Sequence, residues 1–592
     1  MKKNVSMYLL LAFLAAGCKK DAKPAETVAL PGIDSIFKNY YEGNLKLNPL
    51  NATFAGDNRY NDQLPIDISR EHINKAKTFY QSYLDTLKMY NADALQGEEK
   101  LSRAILEWDL NQQLQLLSLN NELIPINQFW GLPLTMGQLG SGQSAQPFKT
   151  VKDYENWLSR LEKFTVWCDT AQANMKRGVA KGYVLQKPLI EKVIPQLEGL
   201  SKLPAEENLF FMPVKNMPAE LSTDEKAKIT EAYTKLITEK LVPTITYLNE
   251  YVKTDYLAAG RETDGIEGLP NGKEAYAKLI KFFTTTDMTA EQIHQLGLKE
   301  VDRISAEMEK VKQQVGFKGN LKAFFNHVRN KKELMPFKDP QQVIDNFNAI
   351  HEKMKPNLAK LFDLIPKTQF EVRRTEAFRE ASASAEYSQG SLDGTRPGIF
   401  YVPIPNVREY NYYSDEDLFL HEAIPGHHYQ VSLQQENTNL PEFRKTNWYS
   451  AYGEGWALYT ESLGKELGLY DDPYQYFGML GAEMHRAIRL VVDTGLHAKG
   501  WTREQAIQYS LDNEAESEAS VIAEIERYMV IPAQALSYKI GQLKILELRA
   551  KAEKEMGDKF SIKEFHNKVL ESGSLPLALL EEKINGWIAS AK

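Results

Sequence analysis

A mainly α-helical fold is what the spacing of apolar residues predicts, and three observations carry that prediction. Six long segments repeat apolar residues at three- and four-residue intervals with charged faces between them. Strand-like alternation is scarce along the 592 residues, and the pattern is uniform, with no internal repeat.

The helical segments, in order, are 71–91, 97–117, 151–197 with breaks at Gly182 and Pro188, 223–256, 289–315 and 340–364. Ser222-Thr-Asp-Glu and Thr289-Ala-Glu-Gln292 carry the pattern of a capping box, in which a hydroxyl and a side chain three residues on satisfy each other's backbone N–H groups. The Lys/Glu-rich faces read as solvated surface. A Gly-rich stretch, 260–272, interrupts the series; it lacks the following Lys-Ser/Thr that phosphate binding needs, so it connects helices or lines a cleft. Arg396-Pro-Gly-Ile-Phe-Tyr-Val-Pro-Ile-Pro405 favours β structure, and its flanking prolines suit an edge strand. The expected organisation is an N-terminal helical half, 31–335, packed against a C-terminal half, 336–592, with a central cleft between them.

The N-terminus has its own logic. Met1-Lys-Lys-Asn is basic, residues 7–17 are apolar but too short to span a bilayer, and Cys18 follows small residues. That pattern predicts a lipoprotein signal peptide over 1–17, lipid on Cys18 and a tether over 18–30. In a bacterium of Gram-negative type the protein would sit at the outer membrane, facing the periplasm or the exterior, held by its lipid anchor only. The second cysteine, Cys168, then has no disulfide partner and reads as a small buried residue, which excludes a multi-thiolate metal site. A net charge of -8 gives no basic field and argues against nucleic acid as a partner.

The chemistry concentrates in Leu418-Phe-Leu-His-Glu-Ala-Ile-Pro-Gly-His-His-Tyr-Gln430. Zinc peptidases place two histidines four residues apart so that one helical turn aligns both imidazoles. From His421 the partners here are His427 and His428. At roughly 100° per residue an unbroken helix would turn His427 by about 240° and carry His428 about 10 Å along the axis. Pro425 and Gly426 permit a bulged turn that swings an imidazole back. Zinc also needs a third protein ligand and an open position. Glu454, flanked by Gly453 and Gly455 at the start of the next helical segment, is that ligand; Glu461, two turns on, is placed to accept from an imidazole N–H or to hold an arginine.

These residues resemble a known family. His421-Glu422-Ala-Ile-Pro-Gly-His427-His428, Gly453-Glu454-Gly455-Trp-Ala-Leu-Tyr459 and Pro532-Ala-Gln-Ala-Leu-Ser-Tyr538-Lys-Ile-Gly541, with the N-terminal Leu47-Asn-Pro-Leu-Asn-Ala-Thr-Phe-Ala-Gly-Asp57, look like the bacterial domain-of-unknown-function family 885, whose members are often described as lipoproteins. That family is in turn similar to helical gluzincin metallopeptidases of the thimet oligopeptidase and thermostable carboxypeptidase type. The resemblance implies a zincin-like fold with a small β element beside the zinc helix, Zn2+ on His421, His427 and Glu454, and Glu422 as general base. It also implies Tyr538 as the oxyanion donor. Arg486, Arg489, Arg527 and Tyr528 are candidates for holding a substrate carboxylate, and His428 is the alternative to His427.

The resulting expectation is a zinc-dependent metallopeptidase acting on small or unfolded peptides at the cell envelope. Its alternatives are an amidase on cell-envelope peptides and a non-catalytic, zinc-containing binding lipoprotein. Endo- or exo-cleavage, side-chain preference and oligomeric state have no sequence signal.

Overall fold

The computed structural model describes residues 30–591 apart from 143, 377–379, 381–382, 392–393 and 395. The expected signal peptide, the tether as far as residue 29 and Cys18 lie outside the described residues. Helices make up 69% of the structure and strands 3%, so the fold is mainly α as expected. Buried apolar side chains form one connected core that runs from Ile33 to Ile588.

The predicted helices form where the pattern placed them. Arg70–Lys88, Gly97–Leu116, Ala290–Gln314 and Pro340–Leu361 match to within a few residues. The 151–197 segment becomes Val151–Lys181 and Lys187–Ser201: Gly182, at φ +78°, takes the left-handed conformation that ends the first helix. Both expected capping boxes are present, at Ser222–Glu225 and Thr289–Gln292. The 223–256 segment is helical throughout, but it widens into π turns at Ile237–Leu241 and Val252–Tyr256. The first of these abuts Pro243, which has no N–H for the helical ladder. Cys168 is buried, as expected.

Two helix pairs position the rest of the molecule. Ala290–Gln314 packs along Pro473–Ala498, and Gly297 makes room, since a Cβ there would lie 2.7 Å from that of Leu490. Ser450–Ser462 packs on Ser537–Met556 through facing glycines. A Cβ on Gly455 would come 2.5 Å from the Cα of Gly541, and one on Gly541 would come 1.8 Å from the carbonyl of Ala451.

One small sheet lies beside these helices, with strands β1 (Phe370–Arg374), β2 (Glu386–Ser388) and β3 (Gly398–Val402) in the order β1-β3-β2. β1 and β3 run parallel with Phe370 opposite Gly398; β2 and β3 run antiparallel with Tyr387 opposite Phe400. This corrects the expected edge strand over 396–405: β3 is the central strand, its Phe400 packed 5.1 Å from Phe347, and β2 is an edge. The prolines bracket β3 without entering it, so its N–H groups stay free for the ladder.

The Gly-rich stretch is a connector. Ile266 N–H donates to His497 Nδ1 (3.0 Å), Arg503 N–H donates to Asp264 (2.8 Å), and a Cβ on Gly265 would meet the carbonyl of Leu496 at 1.9 Å. Among the described residues no helix is long and apolar enough to cross a membrane.

Candidate metal centre

The histidine motif is two helices. Asp415–Glu422 ends at Glu422, and His427–Glu436 begins after four intervening residues. Ala423 (φ -107°, ψ -106°) and Gly426 (φ -74°, ψ -130°) leave the helical region, and the Ile424–Pro425 bond between them is cis. The expected bulge in a continuous helix is corrected to a full break, because Pro425 cannot donate to the first helix and terminates it. Gly426 is required by proximity: a Cβ would lie 2.0 Å from the carbonyl of His421 and 2.2 Å from that of Leu420. The neighbouring helix holds both sides of the break, with Trp456 Nε1 donating to the Pro425 carbonyl (2.8 Å) and Thr460 Oγ1 to that of Leu420 (2.9 Å).

The break brings His421 and His427 together, their ring centroids 4.8 Å apart at 87°. Glu454, one turn into Ser450–Ser462, completes the group: its Oε2 is 3.6 Å from His421 Nε2 and 3.4 Å from His427 Nε2. Ligands at about 2.0–2.1 Å in tetrahedral array stand roughly 3.4 Å from one another. The donor set and its spacing therefore fit zinc, and it is the group among the described residues whose ligand atoms, all within 4.8 Å of one another, are assembled to hold a metal ion.

Supporting residues fix this arrangement. Glu461 sits 2.6 Å from His421 Nδ1, where it accepts that N–H and turns Nε2 toward Glu454. Burial lowers the His421 pKa, but Glu454 and Glu461 outweigh it and hold the imidazole at about 10. Burial likewise raises Glu454, and the two histidines outweigh it, holding that carboxylate well below its usual range. Glu422 lies 4.0 Å from His421 Nε2, and burial raises its carboxyl.

His428 belongs elsewhere. One position further round the second helix, it points at the sheet, with its Nδ1 3.2 Å from the Tyr387 hydroxyl and its ring 4.8 Å from Phe370. Gly398 leaves space for it, since a Cβ there would lie 2.6 Å from Nδ1. Of the two histidines that the sequence offered as alternatives, His427 is the one grouped with His421 and Glu454.

A cavity of about 940 Å³ opens over the group. β2 forms one wall; Tyr538, Arg486, Arg489 and Arg527 stand on another. Tyr538 is brought in by the Gly455–Gly541 contact three residues further along its helix. Burial, then the nearby Glu454, raises its pKa and keeps the phenol protonated. Arg489 and Arg527 both pair with Glu524 at 2.9 Å. Tyr528 stands behind them, buried, donating to Glu524 (2.6 Å), and does not line the cavity.

Sequence reasoning missed Phe129 and Trp448, aromatic rings on the cavity wall, and Glu524, which organises the arginines. Trp448 lies 5.7 Å from His427, and its indole fills the space where Gly453 has no side chain. A signal existed in Asn447-Trp448-Tyr449, an aromatic pair just ahead of the Glu454 helix.

Known proteins resemble this chain throughout. A crystal structure described as "the putative lipoprotein from Colwellia psychrerythraea" is 28% identical, with a TM-score of 0.85 over 94% of this chain and 99% of that one. Another, "a putative lipoprotein of unknown function from Shewanella oneidensis", shares the fold at 20% identity, with a TM-score of 0.76 over 93% of this chain and 99% of that one. No curated protein matches. Residues 49–584, which hold every side chain of the site, match the family described as bacterial protein of unknown function (DUF885), and the chain belongs to that family.

Proposed function

We propose that this protein is a zincin-like, zinc-dependent peptidase of the cell envelope, anchored through lipid on Cys18. The observation that carries the reading is Glu422: a carboxylate 12% exposed on the cavity wall, 4.0 Å from His421 Nε2 and outside the ligand set, which a purely structural zinc site has no use for. A zinc ion held by His421, His427 and Glu454 supplies Lewis acidity, polarising a carbonyl and lowering the pKa of water toward about 7.

The chain's own residues supply the rest. Glu422 takes the proton of the attacking water on its carboxylate and passes it to the leaving amine. The Tyr538 hydroxyl donates to the oxyanion that develops on the carbonyl. β2, an edge strand on the cavity wall, offers backbone groups for pairing with an extended peptide. Export and lipidation are supported by the sequence around Cys18 and by the description of both structural relatives as lipoproteins.

The test is Glu422→Gln. Zinc content should stay at the wild-type level while hydrolysis of a peptide library, followed by mass spectrometry, falls at least about 100-fold. Equal rates in wild type and variant would overturn the mechanism, and hydrolysis by neither would leave a binding protein.

A further inference from the structure

Three arginines, Arg486, Arg489 and Arg527, line the cavity together, and two of them keep donors that no partner uses. Glu524 pairs with Arg489 and Arg527 and lies 3.6 Å from His485 Nε2, whose Nδ1 pairs with Glu514. Arg489 is the centre of this wall. Its side chain is only 9% exposed; Nε donates to Tyr528 (3.0 Å), Nη2 to Glu524 (2.9 Å), and Nη1 has no partner. Nε of Arg486 is buried without one as well. Leaving guanidinium donors unsatisfied inside a protein is costly, and a planar fork with free positions is the geometry that receives a carboxylate.

The wall is held rigidly. Glu524 bridges Arg489 and Arg527, Gln534 accepts from Arg527 Nη1 (2.7 Å), and the Arg489 guanidinium lies 4.5 Å from the Tyr538 ring centre. Arg489, Tyr538, His421, His427 and Glu454 all line the one cavity, so a carboxylate held at this wall shares its space with a carbonyl placed over the His-Glu group.

We infer that this wall is a carboxylate subsite and that the substrates are peptides bearing a carboxylate close to the scissile bond. This deepens the peptidase reading and rests on it. The carboxylate is either a free C-terminus or an Asp or Glu side chain; both present the same planar anion. Phe129 and Trp448, both about half exposed on the cavity wall, offer apolar surface to the neighbouring side chains.

Binding and hydrolysis test the subsite separately. The full chain, stripped of metal by a chelator and dialysed, is titrated calorimetrically with N-acetyl-L-leucine and with N-acetyl-L-leucinamide. The acid should bind at least about tenfold more tightly than the amide. Arg489→Gln should reduce that ratio to about threefold or less. Because Arg489 is buried against Tyr528 and Glu524, Arg486→Gln serves as a second variant that leaves the Glu524 pairs in place, and it should lower acid affinity several-fold without changing amide affinity. Equal binding of acid and amide to the wild type, or an acid preference unaltered in both variants, overturns the subsite.

The zinc-loaded protein then identifies the source of the carboxylate. Leu-Ala-Leu cleaved at least about tenfold faster than its C-terminal amide assigns the terminus; Leu-Ala-Glu amide cleaved faster than Leu-Ala-Gln amide assigns the side chain. Hydrolysis with neither preference overturns the inference and spares the peptidase reading. Arginine-dependent acid binding without hydrolysis of any peptide does the reverse.

Discussion

One residue separates His427 from His428, and the two imidazoles serve different surfaces. The first turn of a helix fans its side chains by about 100° per position, so a break placed just before His427 sends it to Glu454 and its neighbour to Tyr387. The candidate histidines were legible in composition: three histidines, a glutamate and a Pro-Gly pair in eight residues point to metal chemistry whatever their local geometry. The choice between the two histidines was not, because it depends on where the break falls. Two substitutions probe the supporting roles. Glu461→Gln should weaken zinc affinity about 10- to 100-fold, measured by competition with a chelator, since the His421 Nδ1–H loses a charged acceptor. Tyr538→Phe should keep full zinc and lower kcat about 100- to 1,000-fold, with KM little changed, as expected for a donor used chiefly in the transition state.

Helices were the most legible elements, because an apolar stripe at 3.6-residue period over twenty residues has few other readings. The strands were read least well. β2 is three residues of Glu, Tyr and Ser, too short and too polar to alternate visibly, yet it takes an edge position of the kind expected for 396–405, and it lines the cavity. Gly455 and Gly541 show what sequence does convey about packing. Glycines beside Glu454 implied a close approach, and the partner proves to be the helix that carries Tyr538. Gly541→Ala would drive a methyl to 1.8 Å from the Ala451 carbonyl and push the two helices apart. The expected cost is about 1–3 kcal/mol by urea unfolding, together with loss of hydrolysis, because Glu454 and Tyr538 ride on the two displaced helices. A Gly541→Ala protein with wild-type stability and activity would contradict the packing account.

At the scale of the molecule, one core joins helices from both ends of the chain, and buried neutral histidines tie its parts together. His497 accepts the Ile266 N–H at Nδ1 and donates from Nε2 to the Tyr528 carbonyl (3.0 Å); His566 donates from Nδ1 to the Leu361 carbonyl (2.8 Å) and accepts from Tyr459 (2.7 Å). Burial pushes both pKa values down to about 3. Their folded values lie below the unfolded value of about 6.5, so the unfolded chain binds more protons in acid. The stability they contribute is complete above pH 6.5 and is lost as pH falls toward 3, by up to about 1.4 kcal/mol per pH unit for each group. Urea unfolding at pH 7, 6 and 5 should show this decline, and His497→Gln should make it shallower while lowering stability at pH 7. An unchanged slope would contradict the neutral assignment. The central claim is that His421, His427 and Glu454 hold one zinc ion, and zinc content per chain in single-histidine variants tests it most directly. About one equivalent in the wild type and in His428→Ala, with less than about a tenth in His427→Ala, is the predicted result; zinc lost from His428→Ala and retained by His427→Ala would contradict it.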